Sequence, residues 1–140
     1  MPVSMGSELF WDTSGFFALL NKDDPMHRRA RELAARTGDN ARAVTTDGVV
    51  SETCTLLIAR RKPHLVERFL DLTEQQQSLE VITAGGVLFA KTKHFLRRHL
   101  DRSWSFVDCG SFVIMAERRI LEAATTDAHF TEAGMVALLR

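Results

Sequence analysis

Two aspartates stand where a solubilising charge would be out of place. In SFVDCGSFVIMAERRILEAATTDAHF (105–130), Asp108 sits just ahead of the apolar run FVIMA, and Asp127 closes a short apolar segment ending in two threonines. Asp12 directly follows the apolar ELFW, and Glu52 is the single acid in VVSETCTLL. Carboxylates drawn from such places could bind a hard divalent cation, which prefers oxygen ligands. Each acid also has a plain structural alternative. Asp108 can cap a helix, Asp12 and Asp127 can close strands as turn residues, and Glu52 can be a helix-surface acid. No single position decides between these readings. The signal lies in the set and its order.

Other chemistries find less support. The five histidines, His27, His64, His94, His99 and His129, show no metal-ligand spacing, and two cysteines cannot build a structural zinc site. His129 lies two residues from Asp127; it reads as structural, with a substrate phosphate contact as the alternative. Gly85-Gly86 has no phosphate-binding fingerprint around it.

Whether the four acids meet depends on the elements that carry them. ELFW (8–11) reads as a strand ending in a turn, followed by a helix over 15–21 capped by Ser14 or Thr13. Pro25 opens a second helix running to Gly38. ARAVTT (41–46) suits a strand, and Thr46 or Asp47 caps a helix over GVVSETCTLLIARRK. A helix follows Pro63, then the β-branched strand LEVITA (79–84), then a helix over GVLFAKTKHFLRRHL with Leu88, Phe95, Leu96 and Leu100 on its apolar face. A helix after Asp108, a strand over 122–125 and the short segment MVALL complete the chain. Strands and helices alternate, which predicts a parallel or mostly parallel α/β sandwich. In such folds the loops at the carboxyl ends of the strands converge on one crevice. Asp12 and Asp127 each follow a strand directly, and Asp108 lies at a helix N-terminus where the dipole favours negative charge.

Composition bounds the answer. A chain of 140 residues, 45% hydrophobic and 26% charged, fits one globular domain over 8–140. Residues 1–7 are expected to be an N-terminal extension, disordered or vector-derived. No apolar run approaches the roughly 20 residues of a membrane span, and no signal-peptide core is visible near the start. Cys54 and Cys109 are expected to be reduced, buried thiols of a cytoplasmic protein. Net charge is zero from 18 basic and 18 acidic residues, which argues against nucleic-acid binding by bulk charge. If four acids are spoken for by a cation, the remainder is 18 − 14, or +4.

Asp12-Thr13-Ser14 after the first strand, Ser51-Glu52-Thr53 on a helix following TTD, SFVDCGSF, and TTDAHF near the C-terminus together resemble the PIN-domain ribonucleases, in particular the VapC-type toxins of toxin–antitoxin pairs. The likeness runs from about residue 8 to 138. It implies a three-layer α/β/α sandwich around a mostly parallel five-stranded sheet. It implies an acidic site of Asp12, Glu52, Asp108 and Asp127, supported by Ser14, that holds Mg²⁺ or Mn²⁺. It further implies hydrolysis of a structured RNA such as tRNA or ribosomal RNA, a homodimer, and a cognate antitoxin whose basic side chain enters the acidic crevice. The apolar helices at 26–36 and 64–72 offer a groove for an amphipathic partner helix. A catalytically silent PIN-like module that binds RNA or protein is the alternative. One departure from the pattern is Trp11, where a smaller aliphatic residue is expected before the first aspartate.

Overall fold

A computed structural model describes residues 8–37 and 41–140, so the expectations for residues 1–7 and for a helix end at Gly38 fall outside the described residues. Five strands form one sheet: β1 (Glu8–Trp11), β2 (Arg42–Thr46), β3 (Leu79–Ile82), β4 (Glu122–Ala124) and β5 (Val136–Ala137). Their order is β3-β2-β1-β4-β5, and every pairing is parallel. Seven helices connect them: α1 (Thr13–Leu20), α2 (His27–Ala35), α3 (Asp47–Ala59), α4 (Pro63–Gln75), α5 (Gly86–Arg97), α6 (Phe106–Arg118) and α7 (Ala128–Glu132).

Parallel strands require crossovers, and these are right-handed in nearly all sheets. The chain first moves outward from β1 to β3, then returns to β4 and β5. The two directions place α1–α4 on one face and α5–α7 on the other. The side chains of β1 show the result, because successive strand residues point to opposite faces. Trp11 stacks on Phe16 of α1 at 5.4 Å between ring centroids, and Phe16 meets Phe69 of α4 edge-on at 4.9 Å. Phe10 faces the other way, toward Phe130 of α7 at 6.3 Å, and Phe130 meets Phe112 of α6 at 4.9 Å. All six rings are buried. Burying each contributes about 1.5–3 kcal/mol, so two aromatic cores clamp the central strand. The larger residue at position 11 is thus accommodated as core, although its Nε1 has no hydrogen-bond partner among the described residues.

Several boundaries differ from the sequence reading, each for a local reason. Helix α1 starts at Thr13 with Asp12 in the cap position, so neither Thr13 nor Ser14 caps it and the Ser14 hydroxyl is released for other bonds. Helix α6 starts at Phe106, ahead of Asp108. Ser105 is its cap and Asp108 the reciprocal partner of a capping box. Helix α5 ends at Arg97, which leaves Leu100 beyond it and 70% exposed rather than on an apolar face. Of MVALL only Val136–Ala137 pairs as a strand. Cys109 is buried and Cys54 half-buried, both free thiols.

Candidate metal centre

The direction in which the chain adds strands reverses between β1 and β4, and a crevice opens outside the carboxyl ends of strands at such a switch point. Asp12 ends β1 there, and its backbone N–H donates to the Ala124 carbonyl of β4 at 3.2 Å. Gly15 permits this close approach: a Cβ at that position would stand 2.1 Å from the Ala124 carbonyl oxygen. The first turn of α1 is therefore pressed against β4, and Ser14 comes level with Thr125.

Asp12, Ser14, Glu52, Asp108 and Asp127 all line one open cleft of about 340 Å³, with Thr13, Leu56 and Thr126 completing its wall. No lysine or arginine lines it among the described residues. Each acid is held by the chain. Thr125 donates its hydroxyl proton to Asp12 Oδ2 at 2.9 Å. Since that hydroxyl has only one proton, the 3.1 Å contact between Ser14 and Thr125 must run from Ser14 to Thr125. Ser14 Oγ in turn accepts the Thr126 N–H at 2.9 Å. A relay of three polar groups thus ends on Asp12. Thr13 donates to Glu52 Oε1 at 3.4 Å, which ties α1 to α3.

Asp108 Oδ2 accepts the Ser105 N–H at 3.2 Å and lies 3.1 Å from His129 Nδ1. Asp127 caps α7: its Oδ1 accepts the His129 N–H at 2.9 Å, and its own N–H donates to Thr125 Oγ1 at 3.0 Å. Asp108, Asp127 and His129 each offer a ligand atom within 4.8 Å of the others. Sequence alone points to His129 but not to its contact with Asp108, and not to the Thr125 hydroxyl on Asp12. The threonine's signal was the TTD triplet, in which a neutral hydroxyl precedes an acid by two residues.

Electrostatics follow from this packing. Burial pushes the Asp12 carboxyl up from 3.8 to about 7, against the pull of the Thr13 N–H and the Thr125 hydroxyl, with Asp108 and Asp127 adding repulsion. Glu52 is also raised, by burial and then by Asp108. Burial pulls His129 down, but its hydrogen bond to Asp108 and the charges of Asp127, Asp108 and Glu132 outweigh this and raise it. Oxygen donors crowded together, partly buried and without an internal cation fit a hard divalent ion.

Residues 9–135 match the PIN domain. The chain is 33% identical over 128 residues, 91% of its length, to the 23S rRNA-specific endonuclease VapC20 of Mycobacterium tuberculosis, of which it covers 95%. The chain belongs to the PIN-domain family, among its VapC-type ribonuclease toxins. Of solved structures it resembles that of Mycobacterium tuberculosis VapC20, described as a sarcin–ricin loop cleaving toxin, with a TM-score of 0.81 and 30% identity over 91% of this chain and 96% of that one. It also resembles FitAcB from Neisseria gonorrhoeae, with a TM-score of 0.61 and 13% identity over 92% of this chain and 94% of that one, a likeness of fold alone.

Proposed function

We propose that this chain cuts a phosphodiester bond in ribosomal RNA, using Mg²⁺ or Mn²⁺ held by Asp12, Glu52, Asp108 and Asp127. The observation that carries the reading is the convergence of these four acids on one cleft with no lysine or arginine in its lining among the described residues. A divalent ion held there would supply a nucleophilic water and charge compensation at the phosphodiester. The chain's own residues do the positioning. Thr125 and Ser14 fix the Asp12 carboxylate, the Ser105 backbone N–H fixes Asp108, and the His129 backbone N–H fixes Asp127. Such partners hold ligands in the orientation an ion needs. The likeness to a 23S rRNA endonuclease favours 23S rRNA, and within it the sarcin–ricin loop, over tRNA.

Purified protein incubated with 23S rRNA in Mn²⁺ or Mg²⁺ should give one mapped cut that EDTA abolishes. No cut, or a cut indifferent to EDTA, would overturn the reading and leave the catalytically silent module.

Partners belong to the same proposal. A groove of about 810 Å³ runs between α2 and α4, with Leu19, Leu20, Ala34, Leu65 and Leu72 at its floor. Its rim carries Lys22, Arg31, Lys62 and Arg68 against the single acid Asp23. An antitoxin helix with an apolar stripe and acidic flanks suits that chemistry. A basic side chain elsewhere in the antitoxin would pair with the carboxylates of the acidic cleft. Co-purification of the neighbouring small gene product, lost in Arg68→Glu, tests this. A homodimer is part of the reading too. The rings of Phe89 and Phe106, 5.6 Å apart and exposed, offer a face that a second copy would cover. Light scattering that shows a monomer at high concentration counts against it. No helix among the described residues is long and apolar enough to cross a membrane. A cytoplasmic location is part of the same proposal, since the proposed substrate is ribosomal RNA.

A further inference from the structure

We infer that His129, beside the cleft acids Asp108 and Asp127, is itself a ligand of the divalent ion, so that the site has one nitrogen donor with its oxygens and favours Mn²⁺ or another first-row ion over Mg²⁺. The inference rests on the reading of the cleft as a divalent-ion site. His129 Nδ1 lies 3.1 Å from Asp108 Oδ2 and 3.6 Å from Asp127 Oδ1. Octahedral ligands about 2.0–2.1 Å from an ion stand roughly 3 Å apart along an edge. Without an ion that 3.1 Å contact is a hydrogen bond, so an ion would displace the proton from Nδ1 and take its place between the two atoms. The ligand atoms of Asp108, Asp127 and His129 lie within 4.8 Å of one another.

Access and anchoring agree with this. The side chains of His129 and Asp127 are 30% and 35% exposed and that of Asp108 is 11%, so an ion can reach all three from solvent. The ring is not needed to hold α7 in place. That helix is capped by Asp127 through the His129 backbone N–H, which any residue at 129 supplies. No described aromatic contact engages the His129 ring. Its one close side-chain partner is Asp108, with Asp127 next. Mg²⁺ keeps water and oxygen ligands, whereas imidazole suits first-row transition ions. A nitrogen at this point therefore changes which metal the site prefers.

Pulsed electron paramagnetic resonance of the full chain with substoichiometric Mn²⁺ tests the assignment, paired with calorimetric titration of Mn²⁺ and Mg²⁺. The wild type should show nitrogen-14 modulation from a directly bound imidazole. His129→Gln should lose that modulation and bind Mn²⁺ about tenfold more weakly, with a smaller loss for Mg²⁺, within the range that loss of a metal-site partner costs. Mn²⁺ bound to the wild type without nitrogen coupling would overturn the His129 assignment while leaving the acidic site intact. Coupling that persists in His129→Gln would overturn it by pointing to another histidine. Failure of the wild type to bind Mn²⁺ at all would remove both the assignment and the reading beneath it.

Discussion

The two ends of the sheet treat their acids in opposite ways. Toward the amino end, Arg118 donates to both oxygens of Glu80, at 2.9 and 2.7 Å, and to Glu8 at 3.1 Å. Arg42 adds a second cation to Glu80, and Arg36 reaches Glu122. The hydrogen bond from Arg118 holds the Glu80 carboxyl below its ordinary value. At the carboxyl end, Asp12 and Glu52 are pushed above theirs; His129 stands beside Asp108, and no lysine or arginine lines the cleft among the described residues. Carboxylates that serve the fold are neutralised by the chain. Those at the switch point are positioned by hydroxyls and N–H groups, and in the proposed reading an external cation neutralises them.

The largest effect expected from this contrast is catalytic. Asp12→Asn or Asp108→Asn should reduce RNA cleavage by more than about 100-fold, beyond the ~10–100-fold that loss of an outer-shell partner costs. Both variants should keep the wild-type circular dichroism. Near-wild-type, EDTA-sensitive cleavage in both would erase the distinction between the two ends.

Thr125→Val sharpens the comparison, because it keeps shape but removes the hydroxyl that donates to Asp12. Cleavage should fall by roughly 10–100-fold, the cost of an outer-shell partner, with metal affinity falling alongside it. Arg118→Ala should do the reverse. It leaves Glu8 without its partner and Glu80 with Arg42 alone, and should lower stability by about 1 kcal/mol, the upper end for a partly exposed pair, with cleavage unchanged. Urea titration and a cleavage assay on the same preparations separate the two outcomes.

The smallest effects are in pH dependence, and their signs differ. Asp12 has a folded value of about 7 against an ordinary 3.8, so the folded state binds the extra proton. In EDTA its contribution to stability is full below about pH 4 and is lost as pH rises toward 7 and past it. Glu80 is depressed, so its contribution is present above its ordinary 4.5 and is lost as pH falls through its folded value. Compared with wild type, Asp12→Asn should therefore gain relative stability between pH 4 and 7, and Glu80→Gln should lose relative stability above pH 4.5. Melting temperatures against pH in EDTA read both slopes.

How much of this was legible in the sequence depended on range. Strands such as Leu79–Ile82 announce themselves through β-branched alternation, and Pro63 and Thr46 mark helix starts by local chemistry. Helix α7 was missed because five residues carry no periodicity, and its capping residue reads equally well as the end of a strand. Asp108 lies in the cleft and also belongs to a capping box, so local sequence alone could not choose between the two roles. Contacts across the fold, Thr125 to Asp12 and His129 to Asp108, join residues 113 and 21 positions apart. Only the parallel register and the close approach at Gly15 bring the first pair together.

The central claim is that the acids at the switch point are gathered for a cation the chain does not supply. Thermal melts of wild type and Asp12→Asn in EDTA and in Mn²⁺ test it most directly. Mn²⁺ binding to the native state stabilises it increasingly as its concentration exceeds the dissociation constant. Asp12→Asn keeps an acceptor for the Thr125 hydroxyl while removing a buried charge. The account predicts that in EDTA the variant melts at or above the wild type, and that Mn²⁺ raises the wild-type melting temperature more than the variant's. A wild type indifferent to Mn²⁺, with Asp12→Asn melting well below it in EDTA, would make Asp12 a structural residue and contradict the account.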